Sequence, residues 1–426
     1  MLVGAPRELA ATAKSAYEIV NTAESKHLSK VANLETLSLP VANWGRLAAN
    51  CTAHMTEHLF NAVVSVILPL ITASLGLSLS QAGALASIRT LMAGVASFPS
   101  GFFADLASRR NLLLGGCIAL IGLASLGLSL SYSFPLLLVF MALGGFGGGW
   151  FHPQSLAILS EKYRTQKAFA LGVHDSSANL GEVIGPLAIG LMLNFFDWRT
   201  ALLFWAIPGL LVGVVYALAG SEGNLAVPRA RDYRKAIWND VLKNKIVCGL
   251  VAVSTLRAMG QTALASFLPL YLSLHLKLPA AVAGAYMSIL FLCAGVAPAL
   301  VGWVSDRIGH RYLIVLFSLL SVAMVVAIPH LGSGAVLVGG LGLLGALLWA
   351  LRPVIVSAAM SEAPQQLSGS IVALIYGANM GLSFLAPLLA GVVADSYGLP
   401  TAITAIAVFP LLASLICFIF LVQRRS

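Results

Sequence analysis

The chain has 426 residues, of which 59% are hydrophobic and only 10% charged, with a mean hydropathy of +0.91. A water-soluble globular protein carries roughly 45–50% apolar and about 25% charged residues, so this composition excludes that class and calls for lipid as the solvent of the surplus. The formal net charge of +9 would suit nucleic acid if it were clustered, but its spread along the chain excludes that partner as well.

Residues 1–45 are polar, Ala-rich and mixed in charge. They lack the apolar core of a signal peptide and read as a cytoplasmic tail. Stretches of about 20 mainly apolar residues, the length of one bilayer crossing, then follow. Twelve are expected, near 47–75, 82–104, 112–131, 135–160, 168–195, 200–220, 245–273, 281–304, 312–330, 334–358, 367–394 and 400–422. They are apolar throughout, without the alternation of a membrane barrel, which predicts an all-α membrane protein. Two six-helix bundles at 46–220 and 245–422 are joined by a basic cytoplasmic linker at 221–244, and 423–426 form the C-terminus. The tail, alternate loops and C-terminus hold 20 of the 25 Lys and Arg, whereas the opposite side holds only Arg199 and Lys277. By the positive-inside rule both termini are cytoplasmic, and a bacterial inner membrane is the expected location. The cysteines, Cys51, Cys117, Cys248, Cys293 and Cys417, lie far apart within apolar stretches and read as packing residues.

Ionisable groups inside these stretches cost about 2.5–3.5 kcal/mol each on insertion scales and mark function. In the first helix His54, Glu57, His58 and Asn61 share one face by their spacing. The second contains Arg89 and the fourth His152; the fifth carries His174, Asp175, Asn179 and Glu182. In the second half stand Arg257, Gln261, Arg352 and Asn379. Glu57, Glu182, Asp175, His152 and His174 are the proton-coupling candidates, and the remaining residues are cavity candidates.

The halves repeat. Residues 68–70 and 268–270 both read LPL, and SIRTLMAG at 87–94 returns as SILFLCAG at 288–295. Gly101 to Asp105 matches Gly302 to Asp306, and Gly185-Pro186-Leu187 matches Ala386-Pro387-Leu388. An offset of 200 maps Arg257 onto Glu57, Gln261 onto Asn61 and Arg352 onto His152. Parallel repeats of this kind belong to transporters that bind solute at the midplane between halves. Acids and histidines then line one wall and arginines the other.

The loop sequence Gly101-Phe-Phe-Ala-Asp105 with Arg109 and Arg110, echoed by Gly302, Asp306, Arg307 and Arg311, resembles the cytoplasmic gate motif of the major facilitator superfamily. Gly172, Gly181, Gly185, Pro186 and Gly190 are similar to that superfamily's antiporter pattern, except that Ile189 replaces one expected glycine. The stretch from Gly147 to Gln154, with Ala178-Asn179-Leu180-Gly181, resembles the fosmidomycin-resistance-like branch. That resemblance implies proton-coupled efflux of a small organic solute by alternating access; the arginines of the second half favour an anionic or amphiphilic one, and proton-coupled uptake of an anionic solute is the alternative.

His54-Met55-Thr56-Glu57-His58 also has the H-x-x-E-H order of a zinc peptidase class. In a spanning helix it points instead to transition-metal transport through His54, Glu57 and His58 as a further alternative. A phosphate-cradling G-x-x-x-x-G-K-[ST] loop does not occur in the chain. No cofactor, no enzymatic activity and a monomer are expected, with solute, proton and bilayer as partners.

Overall fold

The computed structural model describes residues 41–106, 110–163, 166–218, 243–362 and 368–419, and nearly all of them are helical. The first half comprises α1 (Val41–Ser74), α2 (Leu79–Leu106), α3 (Arg110–Ser129), α4 (Phe134–Lys162), α5 (Lys167–Met192) and α6 (Trp198–Leu218). The second comprises α7 (Lys245–Leu270), α8 (Ala280–Ile308), α9 (His310–Ala327) and α10 (Ala335–Trp349, continued by Leu351–Ser361). It ends with α11 (Ser368–Ser383, continued by Leu385–Tyr397) and α12 (Leu399–Ala405, continued by Val408–Cys417).

Among the described residues, ten helical segments are long and apolar enough to cross a membrane. Helices α2 and α5 have the length, at 28 and 26 residues, but carry Arg89 in one and Asp175 with Glu182 in the other. Helix α1 begins at Val41, inside the stretch read as tail from its polarity. The rest of that tail, most of the linker and residues 423–426 lie outside the described residues. Proline also leaves its mark: Pro269 removes one backbone donor, and α7 continues past it as a π turn over Tyr271–His275.

One apolar core runs through both halves at the end that carries the α1–α2 and α7–α8 turns; it joins Ile67 and Ile71 to Tyr271, Ala390 and Ile403. Toward the other end the core splits. Phe60, Ile118, Phe151 and Tyr216 pack within the first half, and Val247, Leu313, Ile355 and Ile371 within the second.

At the closed end α2 lies along α11 and α5 along α8. Small residues permit this approach. A Cβ at Gly83 would collide with the Pro387 carbonyl oxygen, and one at Gly284 with that of Pro186. A Cβ at Gly391 would lie 2.6 Å from the Leu79 carbonyl oxygen, and one at Gly190 would lie 2.9 Å from that of Ala280. Each member of one seam lies 201 positions from its counterpart in the other, so the duplication in the sequence is built into the fold as two matching seams. Each seam also carries hydrogen bonds: in the α5–α8 seam Ser288 donates to the Val183 carbonyl at 2.7 Å, and the α2 seam has a carboxylate clasp. Asp395 accepts from the Leu79 and Ser80 amides at 2.8 and 2.9 Å, meeting the positive end of α2.

Candidate functional site

Between the halves lies a cavity of about 310 Å³. Glu57, Asn61, Arg89 and Glu182 face it from the first half, and Gln261, Phe291, Trp349 and Met380 from the second. The polar face expected on α1 exists because residues 54, 57, 58 and 61 fall on one side of an unbroken helix.

Glu57 is the centre of the first wall and is 3% exposed. Asn61 donates to its Oε1 at 3.3 Å. Its Oε2 lies 3.3 Å from His152 Nε2 and 3.5 Å from His58 Nε2, and no donor satisfies it with hydrogen-bond geometry. The other ring nitrogen of His58, Nδ1, donates to Glu182 Oε1 at 3.0 Å. The order Glu182, His58, Glu57, His152 is therefore a continuous chain of carboxylates and imidazoles along one wall.

The carboxylate fits because α4 is cut away beside it. A Cβ at Gly148 would sit 2.6 Å from Glu57 Oε1. The neighbouring glycines serve the backbone in the same way, since a Cβ at Gly145 or Gly149 would strike the carbonyls of Arg89 or Ala93 on α2.

Behind this wall, His54 and His174 are buried at 3% and 0% exposure, and their rings stack at 3.7 Å. His54 Nδ1 donates to the His174 carbonyl at 2.9 Å. Ser155 donates its one proton to Asn50 Oδ1 at 2.6 Å and so accepts from His174 Nε2 at 2.7 Å. His174 therefore belongs to the interior of the first half, not to the cavity surface. The ligating atoms of His54, His58 and His152 all lie within 4.8 Å of one another. The imidazole set thus recruits His152 from α4, which no spacing within α1 reveals.

The arginines expected on the second wall, Arg257 and Arg352, lie outside the cavity lining, whose one cation among the described residues is Arg89 from the first half. Arg352 is about half exposed and lies 3.9 Å from Asp175, itself 57% exposed. Arg257 is 3% exposed, and its Nε and Nη1 have no acceptor. Gln261 donates to the Leu348 carbonyl at 3.1 Å. Asn379 is tied to α7 through Ser254 and Thr255 at 3.1 and 3.2 Å. Asn179 lies in the α5–α8 seam, with its Cβ 3.3 Å from the position a Gly295 Cβ would take.

Of the fifth-helix glycines, Gly181 and Gly185 press on the α1 backbone and Gly190 on α8, whereas Gly172 faces open space. In the loop motif, Arg109 and the side chain of Asp105 lie outside the described residues, and of Gly101 only its place in α2 is described. Asp306 is exposed and makes no ion pair among the described residues, and Arg307 stacks over Trp303 at 3.6 Å. Arg110 pairs with Glu161 and Arg311 with Glu362, both at 3.0 Å. These two pairs are again 201 positions apart. Each arginine thus meets a carboxylate at the end of the fourth helix of its own half, 51 residues onward, beyond the reach of a local motif.

Two pseudo-symmetric helical bundles enclosing a polar cavity define a solute transporter. The chain belongs to the Major Facilitator Superfamily, whose sequence profile matches residues 51–387 and, separately, 250–426. It is 25% identical over 369 residues to the uncharacterized MFS-type transporter YfnC of Bacillus subtilis, covering 85% of this chain and 89% of that protein. To the fosmidomycin resistance protein of Escherichia coli it is 23% identical, covering 88% and 93% of the two chains. A multidrug resistance protein, MdtG of Klebsiella pneumoniae, is 24% identical over 79% of this chain and 84% of its own. Among solved structures, a bacterial homolog of the human lysosomal transporter Spinster, inward-facing and occupied, superposes with a TM-score of 0.77 at 16% identity. That match covers 90% of this chain and 97% of the other. The chain is a multi-pass membrane transporter and not an enzyme.

Proposed function

We propose that this protein exchanges protons for a small organic solute by alternating access and works as an efflux antiporter in a bacterial cytoplasmic membrane. The observation that carries this reading is the chain Glu182, His58, Glu57, His152 on one cavity wall. An ionised group within a bilayer must be paired or neutralised. Four acid and base groups in series accept or release a proton with little movement of heavy atoms. Arg89 faces the same cavity, and Asp175 lies 3.9 Å from Arg352. A proton and the Arg352 guanidinium compete for the Asp175 carboxylate, which links proton occupancy to the state of that cation. Both termini are assigned to the cytoplasm, so the seamed end is the outer one and the cavity opens inward. One chain supplies both walls, and a monomer suffices.

The test uses purified protein in liposomes loaded with a pH-sensitive dye. Solute-driven proton flux in wild type, lost in Glu57→Gln or Glu182→Gln, supports the reading; solute movement without proton flux in all three sinks the coupling. A second reading, with a transition-metal ion as cargo, is favoured by the convergence of His54, His58 and His152. It predicts that zinc or iron, and no organic solute, drives the flux.

A further inference from the structure

We infer that Arg257 anchors an oxyanion group, a carboxylate or a phosphonate, of the solute, with Arg352 as its mobile second cation. This names the substrate class at the proposed transport cavity and rests on that cavity being the solute site. Arg257 stands on α7 one turn from the cavity-wall residue Gln261. Its guanidinium is sealed in the protein, yet Nε and Nη1 have no acceptor. A buried cation without a partner is costly unless something meets its donors during the working cycle.

Among the described residues no carboxylate pairs with Arg257. From residue 245 onward the only carboxylate side chains are Asp306, Glu362 and Asp395, each within two residues of a helix end. Glu362 is held by Arg311 and Asp395 by the α2 amides. Asp306 is exposed in the last turn of α8. From the first half, Asp175 reaches Arg352 and Glu182 is bound by His58. Arg352 is the nearest cation to Arg257, and Tyr376 stands close enough to both to interact with them electrostatically. Two guanidinium groups therefore share one region with a single, long ion pair between them. A guanidinium presents a rigid fork that fits a carboxylate or phosphonate better than a spherical ion. The neighbouring cavity wall adds Phe291, Trp349 and Met380, which suit an apolar body attached to the anionic head.

The experiment measures ligand-induced thermal stabilisation of the full chain in detergent. The probes are aryl and alkyl carboxylates and phosphonates, each beside its neutral amide or alcohol. Wild type is expected to be stabilised by the anions and not by their neutral counterparts. Arg257→Met should weaken anion binding about tenfold to a hundredfold, the loss of charge-assisted hydrogen bonds. Without ligand the same variant should melt higher than wild type, because an unmet buried charge is gone. Arg257→Lys, which keeps the charge and removes the fork, should bind anions with intermediate affinity. Gly339→Ala, where an added Cβ meets nothing within 4 Å, should bind anions normally. The inference is overturned if no anion stabilises wild type, if neutral counterparts match the anions, or if Arg257→Met binds anions like wild type. Anion binding that depends on Arg257, in a protein that shows no proton flux in liposomes, would refute the coupling and leave this inference standing.

Discussion

The matching seams make a quantitative prediction. Replacing Gly284 by alanine puts a methyl group against the Pro186 carbonyl, and Gly391→Ala puts one 2.6 Å from the Leu79 carbonyl, where ordinary contact begins at 3.4 Å. The obstacle is backbone in both seams, so helices must part instead of a side chain rotating aside. Overpacking of this kind costs about 1–3 kcal/mol. The cost applies only when the seamed end is closed, so it moves the two-state equilibrium by roughly 5- to 150-fold toward the state open at that end. Spin labels at Phe195 and Tyr397, both more than 70% exposed, flank the closed end from opposite halves. In a background without the five native cysteines, electron–electron distance measurements should show a longer-distance population in either variant and a larger one when both are combined. Gly302→Ala, on the same helix as Gly284 but facing open space, should leave the distribution as in wild type. Unchanged distances in both seam variants would refute the role assigned to the seams.

Gly148→Ala places a methyl group 2.6 Å from Glu57 Oε1 and should reduce solute-driven proton flux as severely as Glu57→Gln. Gly144→Ala, whose nearest neighbour would be the Ala124 Cβ at 3.5 Å, should transport normally; equal flux from the two alanine variants would count against the packing argument. The two pseudo-equivalent ion pairs should differ in strength despite equal lengths. Arg110 is 3% exposed and Arg311 27%, so Arg110→Gln should cost about 3 kcal/mol and Arg311→Gln at most about 1 kcal/mol. Melting temperatures in detergent test that order, and a reversed order would contradict it.

The architecture was legible because a bilayer imposes a length and an apolar content on every crossing. The duplication was legible because offsets of 200 and 201 survive as matching tripeptides and glycines. The α1 face could also be read, since helical periodicity places His54, Glu57, His58 and Asn61 together without any knowledge of neighbouring helices. What lay beyond the sequence was contact between helices. His152 belongs with Glu57 through the α1–α4 packing alone. Glu161 and Glu362 stand 51 positions from the arginines they pair with, a separation no local pattern marks. Gly148 stood in a run of glycines whose only visible meaning was close packing, and its relation to a carboxylate is purely spatial. Asp395 gave no sign at all, because its partners are backbone amides 315 and 316 positions away.

The halves keep their symmetry in the backbone and lose it in the chemistry, and the two facts answer different needs. Alternating access requires two hinging surfaces that close together, and the seams Gly83–Pro387 and Gly284–Pro186 supply the same contact twice. Coupling requires two ligands to sense one another, which identical walls would not achieve. Replacing Glu57 by Arg257 and His152 by Arg352 across the repeat gives one half a carboxylate and an imidazole where the other has two guanidinium groups. Asn61 and Gln261, the amides between them, both face the cavity. Asp175 and Arg352 join the two halves at 3.9 Å. An ion pair so long and so exposed is weak by itself. On the exchange proposed above, that weakness lets the pair open and close as the two ends of the transporter alternate.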